Sequence, residues 1–127
     1  MNTDKKFWHL SLSERTKSIK ILHQKYPNQV AVIVRRMEGS ALPELSSNKF
    51  IVPKDLSVAQ WLYIMRRQKL KINETQNIYF FVDTGLQSDG KSVEIMNGVE
   101  LMSQVFQKAK KEDGAMYVWY REEDTFG

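Results

Sequence analysis

Hydrophobic residues change period several times along the chain, from every third or fourth position to short runs of β-branched residues, and each change marks a new element. Ile19, Leu22 and Tyr26 recur at helical spacing behind Ser11-Leu12-Ser13-Glu14. That tetrapeptide is a capping box: the serine hydroxyl accepts from the backbone of Glu14, and the glutamate reaches back. A helix over about 12–25 is predicted, stopped by Pro27. A short helix over part of 4–9 is only weakly signalled. Val30-Ala31-Val32-Ile33-Val34 reads as a buried strand, Glu38-Gly39-Ser40 as a turn, and Lys49-Phe50-Ile51-Val52 as a second strand ended by Pro53. A proline at that place suits a sheet edge, where a missing donor does little harm. Ser57-Val58-Ala59-Gln60 is a second capping box and opens a helix to about Lys69, with Val58, Trp61, Leu62 and Met65 on one stripe. Ile78-Tyr79-Phe80-Phe81-Val82 is the strongest strand. Residues 83–98 hold three glycines among polar residues and read as a long loop with a short strand near 93–96. Val99–Lys111 reads as a helix striped by Leu101, Met102, Val105 and Phe106, with Gly114 as its C-cap. Met116–Tyr120 reads as the last strand, and the residues from Arg121 on lack a core pattern.

The predicted order is helix, strand, strand, helix, strand, variable segment, helix, strand. A hairpin followed by a crossover helix and a central strand is the α+β arrangement called β-grasp, or ubiquitin-like, here with additional N-terminal helices. If the third strand, Ile78–Val82, pairs in parallel with the first, the right-handed crossover rule fixes which face the helix covers. The division expected is an N-terminal helical extension over 1–27, a core over 28–121 and a C-terminal tail over 122–127.

Composition narrows the chemistry. The 127 residues suit one domain, 42% of them apolar and 27% charged. Without cysteine there is no disulfide, thiol catalysis or Cys-based zinc site, and two histidines, His9 and His23, are too few for a His-only metal site. The longest apolar run, Ala115–Tyr120, is six residues, against about 20 for a membrane span. No hydrophobic signal region follows the N-terminus, so a soluble cytosolic protein is expected. Net charge is +4, and residues 1–36 carry eight Lys and Arg against Asp4 and Glu14. A basic face of that kind suits acidic peptides, anionic lipid or nucleic acid, but composition alone favours a solvated helix face. No interleaved aromatic pattern points to nucleic acid. Asp83, Asp89 and Glu94 lack EF-hand spacing. Glu122-Glu123-Asp124 reads as solvated charge. No triad or phosphate loop is placed by the pattern, so the chain is read as no enzyme and no cofactor is implied.

Lys25-Tyr26-Pro27, Val32-Ile33-Val34, Lys49-Phe50-Ile51-Val52-Pro53-Lys54-Asp55-Leu56-Ser57-Val58, Arg66-Arg67, Ile78–Val82, Met116–Tyr120 and a terminal Gly127 together resemble the autophagy ubiquitin-like modifiers. This is the family of the microtubule-associated light chains and the GABA-receptor-associated protein. The match covers about residues 10–82 and 99–127, and Lys49–Val58 is its most specific part. The resemblance implies a β-grasp domain with two extra N-terminal helices. It implies that Gly127 is activated by a ubiquitin-activating-type enzyme, passed to a conjugating enzyme and joined to phosphatidylethanolamine, with a cysteine protease for processing and deconjugation. It places the protein in the cytoplasm and, when lipidated, on autophagosomal membranes. It further implies a groove for cargo receptors bearing an aromatic residue and, three positions on, an aliphatic one. Phe50, Val52, Pro53, Leu56, Trp61 and Ile64 would line one pocket of that groove; Leu22, Ala31, Lys49, Ile51 and Ala115 would line the other. Composition alone reads the apolar members as plain core; Lys49 beside an apolar run is the least ambiguous.

The sequence departs from the family pattern in its longer 84–98 segment, in Ala31 for a common proline, in Gln29, Gln68 and Ser47 for common basic residues, and in Ala115 for a frequent aromatic. An alternative function is an unconjugated module whose basic helices hold acidic partners such as microtubules. Gly127 separates the two readings. Its lack of a Cβ suits narrow enzyme channels, and seven residues from Arg121 reach about 23 Å.

Overall fold

A computed structural model describes residues 6–73, 75–87 and 89–123. Helix α1, Leu12–Lys25, begins as its capping box dictates: the Ser11 hydroxyl accepts from Glu14 N–H, and Ser11 N–H donates to the Glu14 carboxylate, each at 3.1 Å. The weak N-terminal signal becomes a 3₁₀ turn at Phe7–His9, and positions 4 and 5 of the expected helix lie outside the described residues. Strand β1, Gln29–Arg36, is buried from Val30 to Val34, and β2, Lys49–Pro53, pairs with it antiparallel. The second capping box, Ser57 with Gln60, opens α2, Val58–Ile64. The predicted extent to Lys69 holds, but its last part, Met65–Lys69, is a π-helical turn. Leu70 N–H bonds Met65 O at 2.7 Å, which turns Leu70 into the core, and Lys71 at φ 57 ends the run.

The sheet has five strands in the order β2-β1-β5-β3-β4, with β3 Ile78–Asp83, β4 Val93–Ile95 and β5 Met116–Glu122. Strand β5 runs parallel to β1, and the other pairs are antiparallel. This is the expected β-grasp, with one correction. The strand paired to β1 at the centre is the last one, not Ile78–Val82. Met116–Tyr120 is buried throughout, whereas Tyr79 and Phe81 on β3 leave one face partly open. A parallel pair covered on both faces takes the uniformly apolar run. Strand β5 also outruns its predicted end: Glu122 accepts from Ser40 Oγ at 2.6 Å and from Ala41 N–H at 2.8 Å, and these bonds hold its carboxyl below the usual range.

The third helix, α3, is Met102–Ala109, shorter at both ends than predicted. Its expected first turn serves α2 instead. The first N–H groups of α2 need acceptors, and Val58 and Ala59 find them in Glu100 O at 2.8 Å and Gly98 O at 3.1 Å. Leu101 is therefore an exposed N-cap rather than a core residue. At the other end Lys110 leaves the helix, and Gly114, at φ 89, closes the next turn by donating to Lys111 O at 2.9 Å. A Cβ at Gly114 would meet Ile19 Cγ2 at 3.1 Å, so packing as well as conformation demands glycine there. Helices α2 and α3 cover the sheet face bearing Val30, Val32, Val34, Met116, Val118 and Tyr120. Helix α1 and the N-terminal turn cover the other, with Ala31, Ile33, Ala115 and Tyr117.

The long 84–98 segment is organised by Asp83, which is fully buried. Its carboxylate accepts from Gly85 N–H (3.1 Å), Gly90 N–H (3.0 Å), Trp119 Nε1 (2.9 Å) and Lys111 Nζ (3.1 Å). Lys111 also bonds Gly85 O. Asp83 is thereby engaged with protein donors and does not converge with Asp89 and Glu94. Removing one partner of such a pair strands the other charge in the interior, at a cost of about 3–5 kcal/mol. Asp83→Ala should lose stability of that order in urea denaturation, and Asp83→Asn, which keeps an acceptor, should lose less.

Candidate peptide-binding edge

Among the described residues, strand β2 has β1 on one side and no strand on the other. Which of its backbone groups face outward follows from the register. Val34 N–H bonds Asn48 O at 2.8 Å and Lys54 N–H bonds Asn28 O at 3.1 Å. Those pairs stand in step with Val32–Phe50 and Val30–Val52. In an antiparallel ladder hydrogen-bonded and non-bonded pairs alternate. Phe50 and Val52 therefore turn their N–H and C=O toward β1, and Lys49 and Ile51 turn theirs away from it. Pro53, without an N–H, ends the outward row, and its carbonyl accepts from Leu56 at 3.3 Å.

Side chains divide by the same period of two. Phe50 and Val52 belong to the larger core cluster with Leu56 and Trp61. Ile51 belongs to the smaller cluster with Leu22, Ala31 and Ala115. The two sets named from the sequence are thus each brought together, apart from three members. Ile64 is half-buried at the end of α2, Pro53 is exposed, and Lys49 is exposed with Nζ 3.3 Å from Ser18 Oγ. Val52, Trp61, Ala31 and Ala115 are buried and can only floor a groove; Phe50, Ile51, Leu22, Leu56 and Ile64 are half-buried and can line it.

Several residues at this edge are not legible from the strand alone. Lys69 Nζ lies 6.0 Å from the Phe50 ring centre, brought there by the π-helical turn. Phe7 and Trp8 of the N-terminal turn pack in the smaller cluster. Their signal in the sequence is an aromatic pair just ahead of a capping box, in a stretch without other pattern. Tyr117 donates to Asp113 Oδ2 at 2.7 Å, and Arg15 holds the same oxygen at 3.0 Å; burial is the main reason the Tyr117 hydroxyl titrates far above its ordinary range. Gly127 lies outside the described residues.

A five-stranded β-grasp sheet with an open β2 edge and an added α1 defines a ubiquitin-like protein. The family model described as "Autophagy protein Atg8 ubiquitin like" matches residues 14–127. Autophagy-related protein 8e of Arabidopsis thaliana is 38% identical over 106 residues, covering 84% of this chain and 79% of that one. Autophagy-related protein 8 of Mycosarcoma maydis is 32% identical over 117 residues, 92% and 91% of the two chains. The crystal structure of Trypanosoma brucei ATG8 shares the fold with a TM-score of 0.80 at 23% identity, covering 98% of this chain and 100% of that one. The chain belongs to the Atg8 family of ubiquitin-like autophagy proteins.

His23 is half-buried behind this edge. Its Nε2 accepts from Ala31 N–H at 3.3 Å, and its ring meets the Phe106 ring edge-on at 5.7 Å. Burial, then Lys54 and Lys110, lower its pKa from 6.5. The unfolded chain thus takes up the proton first as pH falls. The stability His23 contributes is present above about pH 6.5 and is lost as pH drops toward the folded value. Urea midpoints at pH 7.5 and 5.5 should differ more for the wild type than for His23→Gln.

Proposed function

We propose that this protein is a modifier joined through Gly127 to phosphatidylethanolamine on autophagic membranes, where it presents the β2 edge to peptides with an aromatic-x-x-aliphatic motif. The observation that carries the peptide half is the outward backbone of Lys49 and Ile51 between two apolar clusters. An extended peptide adds as a strand there, its main chain bonding the edge and its alternate side chains entering pockets on either face. Lys49, with Lys69 near Phe50, favours acidic residues beside the anchors. Support for the lipid half is the family match, which runs through residue 127.

Among the described residues no helix is long and apolar enough to cross a membrane. One acyl chain gives marginal membrane binding, and stable anchoring takes two. Phosphatidylethanolamine supplies both through one amide bond, formed as its amine attacks the activated Gly127 carbonyl and displaces the conjugating enzyme's thiol. Activation, conjugation and proteolytic release act on Gly127 while the domain stays folded. Conjugation then moves the protein from cytoplasm to autophagosomal membrane.

Truncating Leu56 or Ile64 to alanine should weaken a peptide with Trp and Leu anchors by about 1–3 kcal/mol in calorimetric titration. Unchanged affinity in both folded variants would remove the groove from this face. For the lipid half, cells making the wild type or a Gly127 deletion are fractionated and the membranes washed in high salt. The wild type should stay on the washed membranes and the deletion should not. Equal retention would favour an unconjugated module held by its basic helix α1, where Lys17, Lys20 and Lys25 are exposed.

A further inference from the structure

Strand register lays the α1 face of the sheet out in rows. Ile51 pairs with Ala31, and Ala115 immediately precedes Met116, the partner of Val32. One step on, Lys49 pairs with Ile33 and Ile33 with Tyr117; the next row holds Arg35 beside Trp119. The first row carries two methyl side chains, Ala31 and Ala115, so the volume above it must be filled from outside the sheet. Ile19 and Leu22 of α1 pack in that cluster, and so does Phe7, a residue only 9% exposed. Lys49 Nζ lies 5.6 Å from the centre of the Phe7 ring, so the charge at the open edge already faces an aromatic side chain.

We propose that Phe7 is a built-in occupant of the groove, seated on the Ile51 side of β2 in the place of one of a peptide's two anchors, and that ligands must displace it. The inference rests on the peptide-groove reading above and adds its regulation. The way the turn is held suits displacement. Its backbone bonds are local, His9 N–H to Lys6 O at 2.9 Å and Leu10 N–H to Phe7 O at 3.1 Å, and neither reaches β2. The outward row of Lys49 and Ile51 thus stays available to an added strand. Side chains do the holding. Trp8 stacks on the Arg35 guanidinium at 4.1 Å, Arg35 in turn stacks on Trp119 at 4.4 Å, and Lys6 Nζ is 3.4 Å from Asn48 Oδ1. Burial is the leading cause of the lowered Arg35 pKa, as the two flanking indoles require. Such contacts lock the turn when the groove is empty and release it without disturbing the sheet.

A site open only a fraction of the time binds with an affinity reduced by that fraction. With the covered form in tenfold excess, Phe7→Ala should tighten binding of a Trp-x-x-Leu peptide about tenfold, and Trp8→Ala, which cuts the tether, should tighten it less. Calorimetry on the full-length wild type, both variants and Leu56→Ala measures this, with thermal melts to confirm folding. In the wild type, saturating peptide should also move the Trp8 indole N–H resonance to its position in a chain whose turn is released. Binding that is lost in Leu56→Ala but unchanged or weaker in folded Phe7→Ala overturns the inference and leaves the groove standing. An unmoved Trp8 resonance at saturation does the same. Absence of binding by wild type and Phe7→Ala alike overturns the groove reading and the inference with it.

Discussion

The parallel pairing of β1 with β5 at the centre of the sheet is the constraint on which the rest of the structure depends. Both strands are buried on both faces over most of their paired length, so each face needs a cover. Helices α2 and α3 supply one and α1 with the N-terminal turn supplies the other. Joining two parallel strands takes a long connection, and here everything between Met37 and Ala115 is that connection. Strand β2 returns along the outer side of β1 as the hairpin partner, with no further strand beyond it among the described residues. The open edge of the site is thus a consequence of where the last strand docks.

Buried polar groups pin the irregular parts to this frame. Asp83 at the end of β3 gathers the ends of the 84–92 loop and the Lys111 ammonium, and Trp119 of the central strand donates to the same carboxylate. Asp113 does likewise just ahead of β5, taking Arg15 from α1, Tyr117 from β5 and Ala115 N–H. One carboxylate ties the long loop to the sheet, and the other ties the added helix to it. Each is satisfied by several donors, which is the condition for a charge to sit inside a protein.

The candidate site follows from this frame by the period of two. A strand at an edge has side chains on two faces and backbone on one side, and here each face abuts a different cluster. The α1 face is the less regular one. Its row at Ile51 carries two alanines, Ala31 and Ala115, and Phe7 from outside the sheet packs in the same cluster. Function at this edge and packing of the N-terminal turn therefore compete for the same apolar surface.

Much of this was legible in the order of residues. Both capping boxes, the strand cores and the turn at Gly39 are local matters, decided by side chains within four positions and by β-branching. The resemblance named the two groups of groove residues, and the period of two separates Phe50 and Ile51 onto opposite faces of the strand. Tertiary contacts decided the rest. Val99 to Leu101 read as a helix by period, but the carbonyls of Gly98 and Glu100 accept from Ala59 and Val58 at the start of α2. Ile78–Val82 read as the strongest strand, yet the centre went to Met116–Tyr120, because only the apolar period on both faces tolerates helices on both sides. Asp83 and Lys111 stand 28 positions apart, and no local pattern announces that they meet. Phe7 gave no periodic signal, for a single side chain that fills a gap between elements has no neighbours in sequence to repeat it. Its place was set by two small alanines on distant strands, and only the fold brings them together.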